Sequence, residues 1–241
     1  MEAINKEMYT VANEGVLTFY YDSNKSLRKG TGIPYSYNGN DYLSPNREYN
    51  IKTVIFDESF KDARPLSCEN WFSGFISLTK IEGIANLNTS EVTDMYRMFN
   101  GCHALANLDL SNFDTSNVND MGEMFSECYE LQNLDLSNFD TSKVNDMKEM
   151  FYDCFNMEKI NAESFNTSKV ISMYHMFFGC EKIRKLDLSN FILTGVNVRS
   201  MFEGCKNLIE LNIGSLFQHT PDSDYIFEDC KKLKRINIGQ K

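Results

Sequence analysis

The sequence predicts an α/β repeat solenoid, with a parallel sheet of about eight strands on one face, short helices on the other and a β-rich cap at the N-terminus. Three observations predict it: a motif at a fixed period, a strand-like apolar pattern within each period, and a helix-like spacing of Met, Phe and Cys. The motif, Met-Phe-x-x-Cys, recurs at intervals of 26, 26, 26, 25 and 25 residues, in copies that begin at Met98, Met124, Met150, Met176, Met201 and Ile226. Such a period is typical of stacked units that bury their apolar sides against their neighbours.

Each unit contains an apolar pattern that predicts a short strand. In the unit that starts at Cys102, Leu105, Leu108, Leu110 and Phe113 follow the spacing Leu-x-x-Leu-x-Leu-x-x-Phe. The middle of this pattern alternates between apolar and polar residues, as strands with one buried face do. Stacked copies predict a parallel sheet, with strands centred near Ile55, Glu82, Asp109, Asp135, Asn161, Asp187, Asn212 and Asn237.

A second pattern in each unit predicts a short helix on the opposite face. Asp120 is placed to cap this helix, and Glu123, three residues later, would complete a capping box. The apolar residues of the segment recur at i, i+3, i+4 and i+7, which is one face of a helix, and they are Met121, Met124, Phe125 and Cys128. Because the stripe recurs in every unit, we expect it to form core.

The repeat also sets the predicted domain boundaries. The array of 25–27-residue units covers residues 51–241, and residues 1–50 do not fit the repeat. Residues 16–21 resemble a strand, and solenoids need a cap over their first unit, so residues 1–50 are interpreted as an N-terminal β-rich cap. An aromatic ligand platform is the alternative, since this segment also contains Tyr35, Tyr37, Tyr42 and Tyr49. The chain stops after its last strand pattern, so we expect either an exposed edge or further material beyond it.

Composition excludes several classes of function. The chain has 241 residues, of which 42% are hydrophobic, and a net charge of −10. This charge argues against a nucleic-acid partner and an anionic membrane surface. No apolar run approaches the roughly 20 residues that span a bilayer, so no membrane insertion is expected. The first residues lack the features of a signal peptide, which indicates either a cytoplasmic protein or a mature form with an added methionine.

The seven cysteines are predicted to be packing residues. Six of them occupy one position of successive units, and the unit before them has Phe75 there. A position that accepts Phe or Cys is apolar, and free Cys behaves as a small hydrophobe. Cys68 occupies the position that Met95 and its counterparts fill, and no Cys-x-x-Cys pair is present. We therefore expect neither a metal nor a cofactor.

Catalytic motifs are not found. The three histidines, His103, His175 and His219, are scattered, and the sequence has no nucleophile elbow, zinc-protease motif or P-loop. The many carboxylates recur on the surface without a predicted pocket to shift their pKa values. The sequence therefore predicts a non-catalytic protein, and a hydrolase with its site in the cap is an alternative.

The predicted binding site is the outer face of the repeat sheet. Residues that flank the inward leucines form three columns, which supply the candidate partner-binding residues Asn107, Asn133, Lys159, Lys185 and Glu210, then Asp109, Asp135, Asn161, Asp187 and Asn212, then Ser111, Ser137 and Ser189. Extended outer faces of this kind are often used for binding. The alternative is a solvated face whose Asp and Asn side chains bond to one another along the stack. Weak calcium binding by the Asp column is a further alternative, although no calcium-loop spacing is present.

Residues 108–118 and 134–144, together with the Met-Phe-x-x-Cys motif that follows each, resemble the BspA-like leucine-rich repeat surface proteins of bacteria. The resemblance extends from about residue 15 to the end. It implies a leucine-rich repeat fold, a cell-surface or secreted setting, and binding to host proteins, extracellular matrix or other bacteria. It brings no catalytic residues.

The sequence therefore predicts a surface or secreted adhesion module that binds a protein or glycan ligand of unknown identity. An intracellular interaction scaffold built on the same repeat is the alternative, which the lack of a signal peptide and of a C-terminal anchor in the sequence favours. The oligomeric state is not predicted.

Overall fold

A computed structural model describes residues 6–28, 31–33, 50–214 and 224–239. These residues contain ten strands, which are β1 (Glu7–Asn13), β2 (Val16–Asp22), β3 (Thr31–Ile33), β4 (Thr53–Phe56), β5 (Lys80–Glu82), β6 (Asn133–Asp135), β7 (Lys159–Asn161), β8 (Lys185–Leu188), β9 (Glu210–Ile213) and β10 (Arg235–Ile238). Three short 3-10 helices lie at Lys25–Leu27, Glu58–Asp62 and Ile84–Asn86. Each sequence unit forms one coil of a β-solenoid of about seven turns.

The strands of the coils pair in parallel and in register, as the sequence predicts. Leu134 of β6 lies beside Ile160 of β7, and Leu186 of β8 lies beside Leu211 of β9. The predicted continuous sheet of eight strands is wrong, however. The described residues form three sheets, ordered β3-β1-β2-β4-β5, β6-β7 and β10-β9-β8.

The first break between sheets lies at residues 107–110, where the predicted strand around Asp109 does not form. The break follows the unit with one extra residue. There Gly83, at φ +64°, begins the 3-10 turn Ile84–Asn86. A Cβ at Gly83 would lie 2.4 Å from the carbonyl oxygen of Phe56, so the position requires glycine. The coil after this turn is joined to its neighbours by side chains rather than by a backbone ladder on this side.

Asparagine side chains supply these links. Asn138 Nδ2 donates to the carbonyl oxygens of Leu110 and Phe113 in the preceding coil, at 3.0 and 2.9 Å. Asn112 makes the same contacts one coil earlier, with Ile84 and Leu87 at 3.2 and 3.1 Å. The amide thus adds a second donor to the Leu110 or Ile84 carbonyl, which already accepts a backbone N–H within the turn, and supplies a donor to the Phe113 or Leu87 carbonyl.

The predicted helices are wrong: no α-helix occurs in the part of the chain that the structure describes. In residues 120–128, alternate N–H groups donate to the next coil, for example Glu123 to Lys148 at 2.8 Å and Phe125 to Met150 at 3.0 Å. An α-helix would direct these donors to its own carbonyls four residues back, so the stack takes the bonds that the helix needs.

The predicted capping box is wrong for the same reason. The Asp120 carboxylate accepts from the N–H of Gly122 at 2.8 Å. Glu123 lies in the left-handed region at φ 55°, and its buried carboxylate accepts from the Tyr96 hydroxyl and the Arg97 Nε, both at 2.6 Å. Glu123 therefore ties two coils together instead of beginning a helix.

Identical side chains lie one above another inside the solenoid. The rings of Phe99, Phe125, Phe151, Phe177 and Phe202 stack at centroid distances of 5.3–5.7 Å. The structure confirms the cysteines as packing residues, because Cys68 and the five from Cys102 to Cys205 are buried and Cys230 is half-buried. Each cysteine of the column donates its S–H to a phenylalanine carbonyl of the preceding coil, as Cys128 does to Phe99 at 3.3 Å.

The N-terminal residues that are described extend the first sheet. β1 and β2 form an antiparallel hairpin, and β2 pairs in parallel with β4. Phe19 of β2 stacks on Phe56 at 4.7 Å and on Trp71 at 5.3 Å, so the hairpin shares the core of the first coils. The boundary at residue 50 and the role as a cap stay predictions. The tyrosines of the alternative aromatic platform, at 35, 37, 42 and 49, lie outside the described residues.

Candidate ligand-binding face

Strand alternation places the predicted columns on the outer face. Leu134 and Leu186 point inward and are buried, whereas their neighbours Asn133, Asp135 and Lys185 are exposed. All thirteen candidate residues are exposed or half-buried, with Asn161, Ser189, Glu210 and Asn212 in the second group. Whether they bind a partner stays a prediction.

The structure brings eight of the thirteen together in one groove of about 640 Å³, here called the central groove. Its floor contains Leu108, Leu110, Leu134 and Ile160, and its candidate residues are Asp109, Ser111, Asn133, Asp135, Ser137, Lys159, Asn161 and Lys185. The groove lies beside the break at residues 107–110. Asp187, Ser189, Glu210 and Asn212 line a separate depression of about 220 Å³. Asn107 belongs to neither lining.

The carboxylates of the central groove are held in the charged form. The Asp109 carboxylate accepts from the N–H of Ser111 at 3.0 Å, and Asp135 accepts from Ser137 at the same distance. These bonds favour the ionised form and lower the pKa of both carboxyls. The local sequence Asp-x-Ser explains the geometry, because an aspartate readily bonds the backbone two residues ahead. Both residues are thus suited to accept hydrogen bonds and unsuited to proton transfer at neutral pH.

Further along the stack, the same column bonds to itself. Asn212 Nδ2 donates to Asp187 at 2.9 Å, and Asn237 Nδ2 donates to Asn212 at 2.8 Å. Burial raises the Asp187 pKa, but hydrogen bonds from Asn212 and Ser189 outweigh it, so the net pKa is lowered. The alternative of a face bonded along the stack therefore describes the last coils and extends to Asp135, whose pKa is also lowered by a side-chain hydrogen bond from Asn161, whereas the Asp109 carboxylate is bonded by Ser111 of its own coil.

The variable column carries the ion pairs of this face. Lys185 Nζ lies 3.1 Å from the Glu210 carboxylate, and Arg235 lies 3.9 Å from the same group. These cations hold the pKa of Glu210 below its ordinary value. Both cations are more than two-thirds exposed, so the pairs leave them accessible to a ligand.

No metal-binding cluster occurs on the part of this face that the structure describes. Within the described ranges no group of three or more His, Cys, Asp or Glu side chains is placed to hold a metal ion. The Asp column contributes at most one carboxylate per coil, and those of Asp109, Asp135 and Asp187 each accept from a neighbouring backbone N–H. The face is suited to hydrogen bonding and charge recognition.

One group of residues was missed by the sequence columns. Lys182, Arg184 and Lys232 line a second groove of about 620 Å³, which shares Lys159 and Lys185 with the central groove. The sequence does contain a signal for this groove. When the units are aligned on the motif cysteine, the second and fourth residues after it are cations only in later units, namely those after Cys180 and Cys230.

Comparison with known proteins supports the repeat assignment. A family described as "Mycoplasma protein of unknown function, DUF285" matches residues 66–185. A family described as "BspA type Leucine rich repeat region" matches residues 147–241 in six copies. No curated protein matches the chain. Among the described residues, no helix has the length and apolarity needed to cross a membrane.

Among solved structures, a leucine rich cell surface protein from Faecalibacterium prausnitzii A2-165 is similar at 14% identity, with 97% of this chain and 93% of that chain covered. Its TM-score of 0.26 is too low to assign a shared overall shape. The family match and the stacked coils carry the assignment: residues 147–241 match the BspA type leucine-rich repeat, and the comparisons support a BspA-like repeat family for this chain.

Proposed function

We propose that this protein is a non-catalytic binding module whose ligand, a protein or a glycan, occupies the central groove. The observation that carries the proposal is the convergence of eight outer-column residues around one apolar floor. Charged carboxylates, amides, hydroxyls and two lysines surround that floor, and such a mixture is typical of specific binding sites.

The floor and rim have complementary roles. Leu108 and Ile160 are half-buried, so a ligand that covers them removes apolar surface from water. The Asp109 and Asp135 carboxylates are already oriented by backbone bonds, which lowers the entropy cost of binding a donor. In the central groove, the apolar floor thus provides a driving force for binding, and the oriented carboxylates provide specificity.

The family supports an adhesion role at the bacterial surface or in the medium, and we include that setting in the proposal. Cell fractionation of the native host, with protease shaving of intact cells and antibody detection, tests it. Recovery at the surface or in the medium is the expected result. Recovery only from the cytosol would contradict the setting and favour the intracellular scaffold, leaving the groove itself untouched.

Binding through the central groove is tested on arrays of purified extracellular-matrix proteins and glycans. We expect the wild-type chain to bind a ligand on the array, and the double variant Asp109→Lys/Asp135→Lys to weaken that binding at least tenfold. The matched control is Asp114→Lys/Asp140→Lys, since these exposed carboxylates make the same bond to a backbone N–H two residues ahead but lie in the polar turns. Equal losses in the two variants, or no loss in the first, would contradict the proposal.

A further inference from the structure

The second groove is basic, although the chain is acidic. Its lining, here called the basic groove, consists of Glu158, Lys159, Lys182, Arg184, Lys185, Asn207, Ile209 and Lys232. Five cations thus face one carboxylate in a protein whose net charge is −10. A local potential opposite in sign to the rest of the surface selects an anionic occupant.

The charge arises at fixed positions of the repeat. The second, fourth and fifth residues after the motif cysteine are Lys182, Arg184 and Lys185 in one unit, and they are Lys232, Lys234 and Arg235 two units later. The corresponding residues of the unit after Cys102 are Ala104, Ala106 and Asn107. Because the interior residues of these units are alike, the cations are not a requirement of the fold.

Most of these cations have no internal partner. Lys159, Lys182 and Arg184 form no ion pair with any residue that the structure describes, and all three are exposed. Lys232 Nζ donates to the neutral Asn207 Oδ1 at 2.7 Å, and only Lys185 of the lining is paired, with Glu210. The positive charge is therefore largely uncompensated within the described coils.

The geometry favours a polysaccharide over an extended peptide. The cationic rungs at Lys182–Lys185 and Lys232–Arg235 are two coils apart, which is about 10 Å at the spacing of parallel strands. Side chains on one face of an extended peptide recur at about 6.7 Å and do not match this interval, whereas one disaccharide of an anionic polysaccharide is of similar length. The backbone in the basic groove is already paired, with Ile209 N–H donating to Arg184 at 2.8 Å, so an added peptide strand finds no free backbone edge.

From these observations we infer that the basic groove binds an anionic polysaccharide that carries sulfate or carboxylate groups. The cations bind the anionic groups, and the half-buried Ile209 packs against a sugar ring. The inference rests on the proposed function, because it assigns a ligand class to one end of the same outer face.

Heparin, hyaluronan, poly-glutamate and single-stranded oligo-dT are the probes, with binding to the full chain measured by interferometry at 50 and 200 mM salt. We expect heparin to bind, and a fourfold rise in salt to weaken it roughly a hundredfold if about five cations participate, by analogy with counterion release. The double variant Lys182→Glu/Arg184→Glu should weaken heparin binding at least tenfold. A Lys182→Gln/Arg184→Gln variant should show a smaller loss in the same direction.

The matched control is Lys143→Glu/Lys169→Glu, which makes the same change of net charge at exposed lysines of the polar turns. Each variant is first checked for a wild-type circular-dichroism spectrum. Equal losses in the groove and control variants would overturn the location, and tighter binding of poly-glutamate or oligo-dT would overturn the ligand class. Absence of binding to both glycans would overturn the inference while leaving the central-groove test with Asp109 and Asp135 unaffected.

Discussion

The interior and the outer face of the same coils follow opposite rules. Inside, the phenylalanine column keeps one residue type from Phe99 to Phe202, with rings 5.3–5.7 Å apart. Outside, one column changes from Asn107 to Lys159 to Glu210 over the same coils. An interior side chain must fit two copies of itself, whereas an outer side chain mainly contacts water. The difference indicates that the fold depends on the interior columns and that ligand choice depends on the outer ones.

The largest loss of stability is expected when a charged residue, typical of the outer face, replaces an apolar residue of the solenoid interior. Leu134→Asp buries a carboxyl group without a partner in the inner side of β6, so we expect a loss of about 5 kcal/mol in the free energy of unfolding and disruption of adjacent coils. Urea denaturation followed by circular dichroism measures it. Asn133→Asp, on the exposed side of the same strand, is the control and should change stability little. An unchanged transition for Leu134→Asp would refute the inward assignment.

A smaller effect is expected when the interior column loses one member. Phe125 stacks on Phe99 and Phe151, so Phe125→Ala leaves a cavity and removes two ring contacts, at a cost of about 3–4 kcal/mol. Phe155→Ala, at a half-buried ring that stacks on Tyr129, is the matched outer substitution and should cost about 1 kcal/mol. Equal losses of unfolding free energy for the two variants, measured by urea denaturation, would contradict the distinction between the interior and the outer face.

Cysteine substitution tests whether the motif cysteines only pack. Cys128→Ala removes a buried sulfur and leaves the Phe99 carbonyl without its S–H donor, so we expect a loss of about 1–2 kcal/mol in thermal or urea unfolding. Cys230→Ala, at the half-buried end of the column, should cost less. Ligand binding on the arrays should survive both changes, and its abolition would contradict a purely structural role.

The smallest expected change in stability concerns Asp153, a half-buried residue between the interior and the surface, and it depends on pH. Burial first, then the charges of Glu127 and Glu181, raise the pKa of Asp153 to about 6. Between about pH 4, the ordinary value for an aspartate, and pH 6, the folded chain keeps a proton that the unfolded chain has released, so stability falls as pH rises through this interval.

Asp153→Asn should therefore stabilise the fold by about 1 kcal/mol at pH 7, after allowance for solvent screening, and should have no effect at pH 4. Urea denaturation at both pH values measures it. Asp135→Asn is the contrast, because the pKa of Asp135 is lowered and its contribution is lost as pH falls. A pH-independent gain for Asp153→Asn would contradict the assignment.

The sequence predicts the strands better than the opposite side of each coil. Leu134 and Leu186 stand at inward positions of observed strands because a period of two is a local property. Met121, Met124, Phe125 and Cys128 have helical spacing, yet their segment bonds to the next coil instead. Whether these backbone N–H groups bond within a helix or to the next coil depends on the stacking of units, which the sequence of a single unit does not indicate.

The candidate binding face, like the fold, was predictable from the sequence only in part. The outer columns follow from strand alternation, but the central groove lies beside residues 107–110, where the local pattern predicts a strand that does not form. The basic groove was missed for a different reason, since Lys182 and Arg184 gain significance only when equivalent positions are compared across units.

The bonds that join the coils also determine how the molecule carries mechanical load. They run along the stack, as the bridges through Ser67, Asp94, Asp120, Asp146, Ser172 and Asn197 illustrate. Under tension along this axis the coil interfaces act in series, so each bears the full force and adding coils increases extension without increasing strength. We therefore expect rupture to begin at interfaces without a backbone ladder, such as the one near residues 107–110, which is linked on its sheet side by the Asn112 and Asn138 side chains.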